Sequence, residues 1–470
     1  MRVLIIVLVF FYYNGLAQMK NTLNITRTIT TTDGGAFWQE NNQELKARKT
    51  IRVKVDIDQP LQTIDGFGGC FNEKGWEVLQ TLDEKEREKV YASLFDMENG
   101  CRFTLYRMPI GANDYAIDWY SHNETSLDFS MQHFSIDRDR QRLVPYVKKA
   151  MEYNPHLKIF ASPWCPPSWM KTNGHYACRT DPNVNDLPEE RQGKEMVDQF
   201  IMEEPYLDTY ALYFSKFVSA YKNEGINIYS VHVQNEPNSC QNFPSCVWTP
   251  ASLARFISKH LGPTLNADHP DIELWLGTIE RPQPERVDVI LTDEHASKYI
   301  KGVGFQWAGK GVIEHVNKQY PNMELMQTET ECGDGSNDWA AMEYTFDLMK
   351  HYFANGTSSY LYWNMVLDHT GSSQWGWNQN SMITIGENGE VVYNPEFYLM
   401  KHFSYFVRNG ARYVKTSDNN SVAFVNPDKQ LIIVSYNNED KPVNKEINVG
   451  GSKTKVALEG KSLATLVVQL

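Results

Sequence analysis

Asn227–Pro237 reads NIYSVHVQNEP: an alternating apolar run that ends on Asn235 and Glu236 before a proline. A second run, ELMQTETE (324–331), carries Glu329 and Glu331 at its end. Desolvating a carboxylate at the end of a buried strand costs free energy, so two such positions call for a function. Other apolar runs end on groups that bind or orient. Arg107 lies in FTLYRMPI (103–110), with Asp114 close behind. Trp164 closes LKIFASPW (157–164), Gln306 and Trp307 close IKGVGFQW (300–307), and Trp363 lies in SSYLYWNM (358–365). Paired carboxyl groups suit the cleavage of a glycosidic acetal. One protonates the departing oxygen, and the other attacks the anomeric carbon or activates a water. Tryptophan faces suit the C–H face of a sugar ring.

On this reading Glu236 and Glu329 form the reacting pair, at about the 5 Å separation that gives retention. Arg107 keeps a neighbouring nucleophile ionised, and an acid among apolar groups stays protonated. Asn235 is placed to bond the sugar hydroxyl beside the scissile bond. The plainer reading of Glu236 is a strand-end carboxylate capping the next helix. Glu331, two residues beyond Glu329, is assigned an ion pair. Trp76, Trp119 and Trp275 are assigned to the core. His232 is expected in the interior, packed and hydrogen-bonded. Trp375 and Trp377, in GSSQWGWNQN, either line further sugar sites or pack their loop.

These residues require elements that bring them to one place. Eight strand-like runs begin with TIDGFGGCF (63–71). They alternate with segments such as DEKEREKVYASLF (83–95) and LDTYALYFSKFVSAYKNEG (207–225), whose apolar residues recur at three and four. Eight such units predict an α/β fold, a (β/α)8 barrel over residues 61–402 with its site at the C-terminal ends of the strands. An open doubly wound sheet would need a phosphate-binding glycine loop, which is missing. Residues 18–60 and 403–470 alternate with period two and are predicted to pair into one β-sandwich built from both chain ends.

The chain has 470 residues and a net charge of -13, which gives no footprint for nucleic acid or anionic lipid. Residues 1–17, one Arg followed by an apolar run and Gly-Leu-Ala, read as a cleavable signal peptide without a lipid-attachment Cys, hence a secreted or periplasmic protein. The run is too short to span a bilayer. Seven Cys leave at least one thiol unpaired; Cys165/Cys178 and Cys240/Cys246 are spaced for local disulfides, with isolated buried thiols the even alternative. No Cys or His spacing suggests zinc, and no cofactor is implied. The expected partner is a β-linked glucan or glucoside.

With these residues in hand, the chain resembles glycoside hydrolase family 30, the glucosylceramidase-like group. The motifs are DGFGGCF, YRMPIGANDY, ASPWCPPSWMKTNG, VQNEP and MQTETECGDG, and the match runs from about Asp65 to the C-terminus. The resemblance implies a retaining β-glycosidase on a barrel fused to a sandwich. It implies Glu236 as acid/base, Glu329 as nucleophile and Arg107 as the arginine beside it. Asp114, Trp164, Asn235 and Trp363 would line the first sugar site, with Asn378 as a further sugar contact; Trp307 is read as a substrate contact from its place at the end of its strand. The sixth run departs from the animal glucosylceramidases, which carry His-Trp-Tyr where this chain has Gln306-Trp307-Ala308. This places the chain nearer the microbial β-1,6-glucanase branch. The alternatives are a glucosylceramidase or exo-β-glucosidase and, from another class, an inactive carbohydrate-binding barrel.

Overall fold

The computed structural model describes residues 22–40 and 45–470. The expected signal segment, residues 1–17, lies outside the described residues. The chain divides into two compact units. One is Leu61–Tyr413; the other joins the N-terminal segment up to Pro60 to Val414–Leu470.

Strands β1 (Asn24–Thr32), β2 (Gln39–Glu40) and β3 (Lys49–Asp56) belong to the terminal unit. The eight barrel strands follow: β4 (Gly66–Cys70), β5 (Leu105–Ile110), β6 (Lys158–Pro163), β7 (Ile228–His232), β8 (Glu273–Ile279), β9 (Ile300–Gln306), β10 (Glu324–Glu329) and β11 (Ser359–Asn364). A small sheet of β12 (Val366–Asp368), β13 (Ile383–Ile385) and β14 (Val391–Tyr393) comes next. The last strands are β15 (Arg412–Thr416), β16 (Ser421–Val425), β17 (Gln430–Asn437), β18 (Val443–Val449), β19 (Ser452–Leu458) and β20 (Ser462–Gln469).

The barrel strands are all parallel, in the order β10-β9-β8-β7-β6-β5-β4-β11. Such strands are covered on both faces, which is why they read as apolar runs; every residue of β4, β5 and β11 is buried. The ring closes between β10 and β11. Ser358 N–H donates to the Leu325 carbonyl at 2.8 Å, and Leu361 N–H to the Gln327 side-chain oxygen at 2.7 Å. A buried glutamine thus takes the place of a ladder bond.

The covering helices have local causes. Helix Glu84–Phe95 starts where Asp83 accepts from the Glu86 N–H and carries Glu84 and Glu86 in its first turn. Helix Glu204–Asn223 buries Leu207, Tyr210, Phe214, Phe217 and Tyr221, one stripe of its surface.

His232 corrects an expectation. It is fully buried between the rings of Phe160 (4.4 Å) and Trp275 (5.4 Å), yet neither ring nitrogen has a hydrogen-bond partner among the described residues. Burial holds its pKa well below the ordinary value, so it is a neutral, stacked ring and not a bonded one. Gly304 makes the room: a Cβ there would lie 2.7 Å from His232 Nδ1.

In the terminal unit β1 pairs antiparallel with β20, and β3 pairs parallel with β18. Val53 and Val55 from the N-terminal part join Val414, Ile433, Ile447 and Leu466 from the C-terminal part in one core. The sandwich is therefore built from both chain ends.

Candidate active site

β7 stops at His232, but the next four residues keep bonding to neighbouring strands. Val233, Gln234 and Glu236 N–H donate to carbonyls of Trp275, Gly277 and Thr278, whereas Asn235 N–H donates to Pro163 on β6. This backbone is held from both sides. It then turns at Glu236, whose φ of +48° lies in the left-handed region, at a cost on the order of 1 kcal/mol for a residue with a Cβ. Trp307, just past the end of β9, has φ +47°. Two strand ends are thus bent sharply at the residues that face the cavity.

Arg107 on β5 is the hub. Its fully buried guanidinium donates to Glu329 Oε2 at 2.8 Å, Asn235 Oδ1 at 2.7 Å, Gln306 Oε1 at 3.1 Å and Ser162 Oγ at 2.9 Å. Because the arginine can only donate, Gln306 must turn its oxygen toward it and its amide nitrogen away. That nitrogen lies 3.0 Å from Glu236 Oε1 and 3.2 Å from Glu329 Oε2. The two carboxylate oxygens are therefore no further apart than 6.2 Å, the sum of those bonds. Glu329 Oε1 accepts from the Trp307 indole N–H at 2.9 Å. Glu329 thus accepts from both the Trp307 indole and the Gln306 amide, with Ala308 offering no side-chain donor.

The cavity at these strand ends has a volume of about 860 Å³ and is lined by Asp114, Trp164, Asn235, Glu236, Trp307 and Glu329, with Asn378 at its rim. Asn235 uses its oxygen on Arg107, Thr278 and Gln306, which leaves its amide nitrogen for a ligand. Asp114 Oδ1 is buried without a hydrogen-bond partner among the described residues. An orphaned carboxylate oxygen in a polar cavity is a ready acceptor for a hydroxyl group. Trp164 stacks on Trp363 at 5.4 Å and under the Arg107 guanidinium at 4.4 Å. Trp363 itself is fully buried and is not on the cavity wall, so it backs Trp164; its indole nitrogen has no partner among the described residues. Glu331 pairs with Lys310 at 2.6 Å and accepts from Tyr344 at 2.6 Å. Trp375 is buried, bonded to the Asn113 carbonyl and packed on Trp119 at 4.1 Å, while Trp377 meets Phe243 at 4.9 Å on the cavity wall.

Burial is the largest influence on the charges. It raises Glu329 to about 7, against the pull of Arg107 and with the push of Glu236. The cation beside Glu329 thus lowers its pKa but does not keep it in the ordinary carboxylate range, as the sequence led one to expect. Burial likewise lifts Asp114 well above its usual value, helped by Glu329 and Glu236, and lifts Glu280 to about 8, helped by Glu236. Crowding these carboxyl groups around one buried guanidinium raises Asp114, Glu280 and Glu329 together, which favours keeping a proton among them.

The sequence marks Gln306 as closing its run without giving it a role in the site, and does not mark Glu280 as a site residue. Glu280 ends β8 and is buried; it accepts from Asn238 N–H, Asn238 Nδ2 and Ser239 Oγ, and so holds the turn that follows Glu236. The criterion that picked Glu236, a carboxylate closing an apolar run, also fits Glu280 in ELWLGTIE. Gln306 carried a signal too, as a polar residue at the same kind of position.

The family model for the TIM-barrel domain of glycosyl hydrolase family 30 matches residues 64–407, and that for the family's β-sandwich domain matches 410–466. The lysosomal acid glucosylceramidase of Mus musculus is 27% identical over 426 residues, 84% of this chain and 79% of that protein. The endo-1,6-beta-D-glucanase neg1 of Aspergillus fumigatus is 27% identical over 394 residues, 80% of this chain and 78% of that protein. The crystal structure of SrfJ from Salmonella typhimurium superposes with a TM-score of 0.83 at 26% identity, covering 94% of this chain and 99% of that one.

Proposed function

The chain belongs to glycosyl hydrolase family 30, and we propose that it cleaves β-glucosidic bonds with retention, Glu329 acting as nucleophile and Glu236 as acid and base. Glu329 attacks the anomeric carbon while Glu236 gives its proton to the departing oxygen. A glycosyl–enzyme ester forms on Glu329. Glu236 then takes a proton from water, which attacks the same carbon and frees Glu329. One observation carries this reading: the two carboxylates share the Gln306 amide nitrogen and their nearest oxygens lie within 6.2 Å. Inverting enzymes hold their carboxyl groups about 6.5–9.5 Å apart to admit a water, and retaining ones about 5–5.5 Å apart.

Three donors, from Arg107, Gln306 and Trp307, converge on Glu329, whereas Glu236 accepts from Gln306 alone among the described residues. Donors favour the charged form. This asymmetry supports Glu329 as the anionic nucleophile and Glu236 as the proton carrier. Arg107, Gln306 and Trp307 orient Glu329, and Asp114, Trp164, Asn235 and Asn378 bind the sugar.

The substrate we infer is a β-1,6-glucan, acted on outside the cytoplasm after removal of residues 1–17. Two observations support a hydrophilic glycan. A relative is named an endo-1,6-beta-D-glucanase. The cavity wall beyond the carboxylate pair carries Glu280, Arg281, Lys310, Glu331 and Asp334, groups that do not suit an acyl chain. The glucosylceramidase relative supports the second reading, the same chemistry on a glycolipid. The test is side-by-side digestion of pustulan (a β-1,6-glucan), laminarin and glucosylceramide, with the anomer first released from pustulan followed by NMR. Release of the β-anomer from pustulan is expected. Release of the α-anomer would overturn the mechanism, and preference for glucosylceramide would overturn the substrate.

A further inference from the structure

Two loops beside the cavity meet at a cluster of sulfur atoms around a buried ammonium. Lys171 and Cys178 lie in the segment after β6, and Cys240 lies four residues beyond Glu236. Lys171 is buried, and no carboxylate pairs with it among the described residues. Its Nζ donates to the carbonyls of Tyr176 (2.8 Å), Ala177 (3.2 Å) and Ser245 (2.6 Å) and to Cys178 Sγ at 3.5 Å. A buried ammonium without an anion is costly, and a thiolate at Cys178 supplies the missing charge. Cys178 Sγ lies 3.3 Å from the Ser245 carbonyl, and the Cys178 and Cys240 side chains are near enough to act on each other's charge. Their backbones are tied as well: the N–H groups of Cys178 and Arg179 both donate to the Gln241 carbonyl, at 2.9 and 2.8 Å.

We propose that Cys178 and Cys240 are a disulfide-forming pair that staples the loop after β6 to the loop carrying Glu236, Gln241 and Phe243. This replaces the pairings that sequence spacing suggested: none of the seven cysteines is disulfide-bonded, and the cysteine that bears on Cys178 is Cys240, not Cys165. The charges favour the exchange. Burial alone would raise Cys178, but the Cys240 side chain and the Lys171 ammonium bring it down to about 5. Cys240 is raised, chiefly because its proton is held by Cys178. One sulfur is a thiolate and the other its acid.

Cys240 is half-buried and Cys178 fully buried, so a disulfide oxidant R–S–S–R meets Cys240 first. Cys178 takes the Cys240 proton, the Cys240 thiolate attacks and forms Cys240–S–S–R, and the departing RS⁻ recovers that proton as the first RSH, leaving Cys178 as thiolate. The Cys178 thiolate then attacks the Cys240 sulfur and expels RS⁻, which takes a proton from solvent. Two thiols and one R–S–S–R become one protein disulfide and two RSH. Gln241 and Phe243 line the cavity, so the bond fixes part of the wall without touching the reacting carboxylates.

The experiment uses the full chain, oxidised with glutathione disulfide, then alkylated and mapped by mass spectrometry without reduction. The expected result is loss of two of the seven thiols and a cross-linked peptide pair containing Cys178 and Cys240. Reduction should lower the Tm and raise KM for a polymeric glucan, leaving kcat on a small aryl glucoside unchanged. The Cys240→Ser variant should match the reduced protein with or without oxidant. Alkylation of both Cys178 and Cys240 after oxidation, or a bond from Cys178 to Cys165 or Cys246, would overturn the proposal. Because the mapping needs no substrate, its failure is distinct from any failure of the glycosidase reading.

Discussion

Glu329→Gln should abolish turnover and stabilise the folded chain. Glu329 titrates near 7 in the fold, against an ordinary value of 4.5. Below pH 4.5 it is neutral in both folded and unfolded chains and has no effect on their balance. As pH rises from 4.5 to 7, the unfolded chain ionises the residue and the folded one resists, so stability falls by about 1.4 kcal/mol per unit. The loss reaches about 3 kcal/mol and stays constant above the folded value. Glutamine is neutral throughout. Wild type and variant should therefore unfold at the same midpoint near pH 4, and the variant should be more stable near pH 8. The attraction of Arg107 is already counted, since the residue titrates high in spite of it. Unfolding midpoints at three pH values between these limits test this, with hydrolysis of an aryl glucoside measured on the same samples. A variant less stable than wild type near pH 8 would show that the Arg107–Glu329 pair is net stabilising, and would refute the account of a carboxylate strained by burial.

Other residues give separate tests. Glu236→Ala should keep turnover of aryl glucosides with good leaving groups, which need no proton, and lose turnover of the natural glycan; equal losses on both would exclude Glu236 as the acid. Gln306→Leu removes the shared donor of both carboxylates. A charge-assisted hydrogen bond is worth about 1.5–3 kcal/mol, so kcat/KM should fall roughly 10- to 100-fold with an unchanged circular dichroism spectrum. Trp307→Phe deletes one donor to Glu329 and should lower kcat by about tenfold, a weaker loss that steady-state kinetics will separate. Glu280→Gln removes a carboxyl raised from 4.5 to about 8, so its gain in melting temperature over wild type should grow with pH across that interval.

The two readings of the site differ in what periodicity can convey. Glu236 and Glu329 were legible because a carboxylate closing an apolar run is conspicuous, and parallel barrel strands all end on the same side. Gln306 was noticed as a departure at the end of β9, but its role depends on Arg107 turning the amide, a contact across 199 positions of chain. His232 was placed correctly in the interior, yet its lack of hydrogen bonds follows from two aromatic rings on separate strands. Cysteine spacing favoured near neighbours in sequence, whereas a loop return brings Cys178 to Cys240.

Local pattern was enough for the barrel and the sandwich. Burial of alternating or continuous apolar runs leaves few ways to pack eight βα units or two sets of terminal strands, so hydrophobic order along the chain already carries the architecture. The fine structure of the cavity depends instead on long-range approach. Which carboxyl holds a proton, which amide points inward and which sulfurs meet are set by desolvation and by angles between groups that lie tens to hundreds of residues apart in the chain. Those quantities exist once the ring has closed and water has left it.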